Sequence, residues 1–118
     1  MRAAAIRPLD LVFFGTPAYA AVCLERLLAG PHRVKAVVTR PDKPRGRGQR
    51  TEPSAVKALA ASHGLEVLDP ASARDPGFLA RLRGFDADLG VVVAYGRILP
   101  REALDAPRLG CINAHASL

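Results

Sequence analysis

Asn113 and His115 stand two residues apart near the end of the chain, in the stretch Gly110-Cys111-Ile112-Asn113-Ala114-His115-Ala116-Ser117-Leu118. Residues Cys111 to Ala114 read as a short apolar strand, and side chains two apart along a strand project from the same face. An amide and an imidazole presented together can hydrogen-bond an oxyanion and move a proton. That is the chemistry of acyl or one-carbon transfer. Open parallel sheets bind their ligands in the crevice outside the carboxyl ends of the strands. The pair therefore calls for a parallel sheet that ends at this point.

The rest of the sequence predicts such a sheet. Leu9 to Phe14 is apolar except for Asp10 and is stopped by Gly15, the pattern of a central strand buried on both faces. Pro17 suits the first turn of a helix, which carries Ala21, Leu24, Leu27 and Leu28 on one stripe and closes near Gly30-Pro31. A second strand spans Val34 to Thr39, and a helix opened by Thr51-Glu52-Pro53-Ser54 runs through Val56, Leu59 and Ala60 to Gly64. Leu65 to Leu68 gives a third strand, Pro76 to Leu82 a helix, and Leu89 to Ala94 a fourth strand rich in valine. A loop, Tyr95-Gly96-Arg97-Ile98-Leu99-Pro100, and a short helix through Ala103 and Leu104 lead to the fifth strand, Cys111 to Ala114. Alternating strands and helices imply an α/β fold, a Rossmann-like doubly wound parallel sheet. Right-handed crossovers give the order 3-2-1-4-5, with the sheet incomplete at its C-terminal side.

At 118 residues and 49% hydrophobic content, the chain fits one globular domain, residues 1–118. Cys23 and Cys111 lack a C-x-x-C spacing, so they read as two buried reduced thiols rather than metal ligands, in keeping with a cytoplasmic setting. The apolar run after Arg2 and Arg7 is cut by Gly15-Thr16-Pro17, too short for a secretory signal or a membrane span. No metal site is expected.

Charge is unevenly placed. Between Arg40 and Arg50 there are five bases and one acid, a net +4, whereas all other residues hold twelve bases and ten acids. This segment, Arg40-Pro41-Asp42-Lys43-Pro44-Arg45-Gly46-Arg47-Gly48-Gln49-Arg50, reads as an irregular loop, with two prolines and two glycines among its charges. Arginine forks match phosphate oxygens, and glycines beside Arg47 permit close approach. With no aromatic residue between Arg40 and Arg50, the backbone phosphates of a folded RNA fit better than stacked bases. A dinucleotide site is disfavoured, because Gly15-Thr16-Pro17 supplies one glycine where the Rossmann fingerprint needs three. Thr16 reads as a helix cap.

Five stretches occur together and in one order. They are Phe14-Gly15-Thr16-Pro17, the segment from Arg40 to Gly48, Pro53-Ser54-Ala55-Val56-Lys57, the run from Val91 to Pro100, and the run from Pro107 to Leu118. In this the chain resembles the methionyl-tRNA formyltransferases, over the front part of their catalytic domain. The resemblance implies transfer of a formyl group from 10-formyltetrahydrofolate, as cosubstrate, to the amino group of methionyl-initiator tRNA. It makes Asn113 and His115 catalytic, and it assigns the folate to Arg97, Ile98 and Leu99, largely through main-chain atoms, with Ser117 beside them. It assigns the tRNA acceptor arm to Lys43, Arg45, Arg47 and Arg50. The family's catalytic aspartate and its smaller C-terminal tRNA-binding β-barrel domain have no counterpart among these residues, so the chain by itself is expected to be truncated and inactive. Two alternatives stay open: a formyltransferase acting on another amine acceptor, and a noncatalytic RNA-binding fragment.

The fifth strand is expected at a sheet edge, and exposed edges pair with other chains. Self-association through this edge should appear in sedimentation at high concentration. A monodisperse monomer there would count against it.

Overall fold

The computed structural model describes residues 7–45 and 50–115, with Arg45 and Arg50 placed by their backbone; Arg47 and Ser117 lie outside the described residues. Five parallel strands form the main sheet: β1 (Asp10–Gly15), β2 (Arg33–Val38), β5 (Glu66–Leu68), β6 (Leu89–Val93) and β7 (Cys111–Ala114). Their spatial order is β5-β2-β1-β6-β7, which is the expected 3-2-1-4-5 counted over the five strands read from the sequence. Helices α1 (Ala18–Ala29), α2 (Ala55–Ser62), α3 (Pro76–Gly84) and α4 (Arg101–Leu104) fill the crossovers.

Alternation along the strands sorts the core into two layers. Val12, Phe14, Ala36, Val38 and Val92 pack with Phe78, Leu79 and Leu82 of α3. Leu11, Phe13, Val37, Val91 and Val93 face the other way, onto Ala20 and Leu24 of α1 and Val56 and Ala60 of α2. Phe13 and Phe14 are neighbours in sequence and both fully buried, one in each layer, which is what makes β1 a central strand. Truncating either to alanine would cost about 3–5 kcal/mol. On β2, Lys35 is an extra residue opposite the Leu11/Val12 step, so the register shifts there. Its Nζ turns to the Phe85 carbonyl, 2.9 Å away.

The charged segment departs from the loop expected of it. Lys43–Arg45 (β3) and Arg50–Glu52 (β4) pair as an antiparallel ribbon with Lys43 opposite Glu52 and Arg45 opposite Arg50. Three-residue strands with a proline and no apolar alternation leave no periodic signal, whereas backbone pairing needs none. The ribbon also takes Thr51 and Glu52 away from the helix they were expected to open: α2 begins at Ala55, with the Ser54 side chain accepting from the Lys57 amide at 3.0 Å. The cysteines are free but half-buried, because each lies at the margin of its core layer. Among the described residues no helix is long and apolar enough to cross a membrane.

At the amino edge of the sheet, Asp88 ties three segments together. Its carboxylate accepts from the Asp10 amide at 2.8 Å and from Arg108 at 3.2 Å, while its carbonyl accepts from the Leu109 amide at 2.7 Å. The Asp10 amide, followed by Arg108, holds the Asp88 carboxyl below the usual aspartate range. A carboxyl depressed on folding stabilises the native state above its unfolded value, about 3.9, and that stabilisation is lost as pH falls through the folded value. Asp88→Asn should therefore lower the melting temperature at neutral pH, and the gap from the parent should close in acid. Parallel melting curves across the acid range check this; a gap that persists undiminished at low pH would contradict it.

Candidate active site at the carboxyl edge of the sheet

Asn113 lies opposite Val92 across the β6–β7 pair, and His115 follows the end of β7. Both side chains are solvent-exposed, and both line one cleft of about 410 Å3 together with Tyr19, Ala94, Tyr95, Gly96, Arg97 and Ile98. The cleft sits at the carboxyl ends of β6 and β7 and against the first turn of α1. Its volume lies within the usual range for small-ligand sites. An amide donor and an imidazole on one wall, open to a bound ligand, are equipped to stabilise an oxyanion and relay a proton.

The opposite wall is the turn after β6, and its backbone is unusual. Ala94 has φ 52° and Gly96 has φ 92°, both left-handed. For alanine that conformation costs about 1–2 kcal/mol, so surrounding contacts must enforce it. Glycine adopts it freely, and a Cβ at Gly96 would stand 2.9 Å from Cδ of Arg40. Between them the Tyr95 ring is almost fully buried and meets Phe14 edge to face, with centroids 5.9 Å apart. Burial pushes the Tyr95 phenol up, against the pull of the Arg97 and Arg40 guanidiniums, so it stays protonated at neutral pH.

Thr16 is not the helix cap expected of it. Pro17 occupies the N-cap of α1, and the Thr16 hydroxyl donates instead to the Tyr95 carbonyl at 2.9 Å. Behind it, the fully buried Thr39 hydroxyl reaches Thr16 at 3.5 Å and Ser54 at 2.8 Å. Since Ser54 accepts from the Lys57 amide and Thr39 lies within donating reach of Thr16, the consistent direction runs from Ser54 to Thr39 to Thr16 to the Tyr95 carbonyl.

The residues expected to hold a heterocycle divide. Arg97 and Ile98 line both the first cleft and a neighbouring one of about 350 Å3, whereas Leu99 lines only the neighbour. The Arg97 guanidinium donates to the Pro70 and Ala71 carbonyls at 2.9 and 2.8 Å, so its side chain braces the loop. What this turn offers a ligand is main chain: the amides of Gly96, Arg97 and Ile98 bond to no described residue. Lys43 lines a third cleft, about 360 Å3, with Thr16, Arg40 and Ser54. Arg45 and Arg50 face each other across the ribbon.

Sequence reasoning placed the loop from Tyr95 to Pro100 but missed Tyr19, the ion pairs of Lys57 and the left-handed turn at Ala94, which it assigned to the fourth strand although β6 ends at Val93. Lys57 Nζ bonds Asp42 at 3.1 Å and Asp69 at 3.0 Å, which raises its pKa, chiefly through Asp69 and then Asp42. The sequence signal for the turn was Gly96, three residues past the last valine of the strand. Lys57 pairs with residues 15 and 12 positions away and left no local signal.

Comparison with known proteins fits this geometry. The formyl transferase family profile matches residues 9–118. The chain belongs to the formyl transferase family. It is 56% identical over 111 residues to a methionyl-tRNA formyltransferase of Pseudomonas syringae pv. syringae, covering 94% of this chain and 35% of that protein. It is 55% identical over 112 residues to the methionyl-tRNA formyltransferase of Stutzerimonas stutzeri, covering 95% and 36%. The chain thus spans about a third of the length of these relatives. Among solved structures, it is similar to glycinamide ribonucleotide transformylase 1 of Geobacillus kaustophilus, with TM-score 0.65, 18% identity and coverage of 91% and 57%. Phosphoribosylglycinamide formyltransferase of Bacillus halodurans gives TM-score 0.63, 15% identity and coverage of 88% and 54%. At such identities the likeness shows the shared fold.

Cys111 gives this edge of the site a chemical probe. Its Sγ packs against Gly90, where a Cβ would collide with it, and lies 3.7 Å from the Leu104 carbonyl. Burial pushes the Cys111 thiol up, only partly offset by a backbone hydrogen bond from Gly90. Iodoacetamide should therefore label Cys111 several-fold more slowly than a free thiol at about pH 8, with acceleration only above the ordinary thiol value of about 8.5. Mass spectrometry after timed labelling reads this, and labelling at the free-thiol rate would contradict it.

Proposed function

We propose that this chain is the front part of an enzyme that transfers a formyl group from 10-formyltetrahydrofolate to the amino group of methionyl-initiator tRNA. The observation that carries the reading is the shared cleft of Asn113 and His115, in a chain 56% identical to a methionyl-tRNA formyltransferase. The reaction is proposed for a protein of the relatives' length, with the remaining catalytic group and a second tRNA-gripping domain supplied outside these residues.

The donor is a folate cosubstrate, and the residues present fit it. A flat heterocycle needs an open cleft and in-plane hydrogen-bond donors, and the free amides of the turn from Gly96 to Ile98 supply them. In the reaction the neutral methionyl amine attacks the formyl carbon, forming a C–N bond and a tetrahedral oxyanion. The Asn113 side-chain amide donates to that oxyanion. Collapse breaks the bond between the formyl carbon and the folate nitrogen. His115 hands the leaving nitrogen a proton, and the attacking amine gives one up, so protons balance.

The basic segment supports an RNA acceptor. Its one acid, Asp42, is engaged by Lys57, and the segment from Arg40 to Arg50 carries a net +4, with Lys43, Arg45, Arg47 and Arg50 the residues proposed to meet acceptor-arm phosphates. Such contacts position an acceptor without reading its sequence, and they weaken steeply with salt. The reading places the protein in the cytoplasm, where translation initiates.

Asn113→Ala and His115→Ala, in a protein of the relatives' length carrying this chain, should each lower single-turnover formylation about a hundredfold to a thousandfold. Unchanged rates would remove these two residues from the chemistry. Filter binding should favour tRNA over small amine acceptors; the reverse preference would favour an enzyme acting on another amine. Salt-sensitive tRNA binding with no folate binding would favour a noncatalytic RNA-binding role.

A further inference from the structure

Thr16 lies on the β1–α1 connection, outside the first cleft, yet its hydroxyl reaches the turn that forms the cleft wall. We infer that Thr16 is a positioning residue for the donor cleft: its hydroxyl, by holding the Tyr95 carbonyl, fixes the orientation of the Tyr95–Gly96 peptide and so presents the Gly96 amide to a ligand. Gly96, at φ 92°, accepts either sign of φ at little cost, so the peptide before it can flip unless something holds it. The Tyr95 ring, locked against Phe14, fixes the Cα but not the plane that follows it. Within the described residues, the bond holding that plane is Thr16 Oγ1 to the Tyr95 carbonyl, 2.9 Å.

A planar trans peptide points its C=O and N–H in opposite directions. Tying the Tyr95 carbonyl to Thr16 therefore sends the Gly96 N–H away from the β1–α1 connection. That amide has no partner among the described residues, and Gly96 lines the cleft that holds Asn113 and His115. The hold is itself oriented. Thr39, fully buried, stands 3.5 Å behind the Thr16 oxygen and is anchored at 2.8 Å by Ser54, so the Thr16 proton is directed forward to Tyr95. A hydroxyl that only capped α1 would not face this way, and the α1 N-cap uses no side-chain bond at all.

The inference rests on the proposed reading only in naming a reduced folate as the ligand. Two variants test it in a protein of the relatives' length: Thr16→Val, which keeps the shape and removes the hydroxyl, and Thr16→Ser, which restores it. The first readout is backbone NMR of residues 95–98. Thr16→Val should shift the Tyr95 carbonyl carbon and Gly96 amide resonances and lower the Gly96 N–H order parameter from about 0.85 to below about 0.6, leaving the β1 and β6 core resonances in place, and Thr16→Ser should restore the parent values. The second is affinity for 5-formyltetrahydrofolate, a stable reduced folate, expected to weaken about tenfold in Thr16→Val and recover in Thr16→Ser. Parent-like resonances and order parameter at residues 95–98 in Thr16→Val, or no recovery with Thr16→Ser, would overturn the inference. So would an altered turn with unaltered folate affinity. If the parent protein binds no folate probe at all, the folate reading fails, while the NMR comparison still decides whether Thr16 positions the turn.

Discussion

Three hydroxyls in series, Ser54, Thr39 and Thr16, join the carboxyl ends of β1 and β2, the start of α2 and the turn after β6. Most of what gives this edge of the sheet its shape depends on them. Parallel strands end with unpaired backbone groups, and in the interior those groups need partners at a cost of about 1–3 kcal/mol each when left without one. Here side chains supply the partners, and they do so in a directed chain, each oxygen accepting from behind and donating ahead. The result is a rigid rim on which left-handed residues at Ala94 and Gly96 can be held.

Charge is organised on the same rim but by different means. Lys57 draws Asp42 and Asp69 together, and with them the base of the basic ribbon and the exit of β5. The raised pKa of Lys57 keeps its ammonium charged at neutral pH, so on the alkaline side the clasp weakens as pH climbs through the ammonium's own titration. These groups are partly exposed, and solvent screening keeps the clasp's contribution to stability small. Its consequence is electrostatic. It removes the only negative charge between Arg40 and Arg50 from competition with an anionic partner.

The sheet was legible in the sequence because its central strands are buried on both faces and therefore written as apolar runs, Leu11 to Phe14 and Leu89 to Val93. The Asn113–His115 pair was legible because two-residue spacing on a strand fixes a common face whatever the neighbours do. What escaped was everything decided by partners far along the chain. Thr16 looks like a cap locally, and only Tyr95, 79 residues away, shows what its hydroxyl does. Arg97 looks like a ligand group, and only the carbonyls of Pro70 and Ala71 show that it is a brace. The ribbon of β3 and β4 escaped because backbone hydrogen bonds, rather than side-chain burial, define it. Short strands of charged residues and proline carry no pattern to read.

These distinctions bear on how a two-substrate reaction could be housed in so small a sheet. Arg40 belongs to two environments: its side chain crosses the Gly96 backbone at the first cleft and lines the third cleft beside Lys43 and Ser54. Its Nε is buried and unpartnered among the described residues, so the side chain is committed to packing there rather than free to roam as a surface arginine does. The stem of Arg40 thus lies against the Gly96 backbone of the first cleft while lining the third, which Lys43 and Glu52 also line. On the proposed reading, the donor occupies the first and the acceptor's phosphates meet the basic segment beside the third.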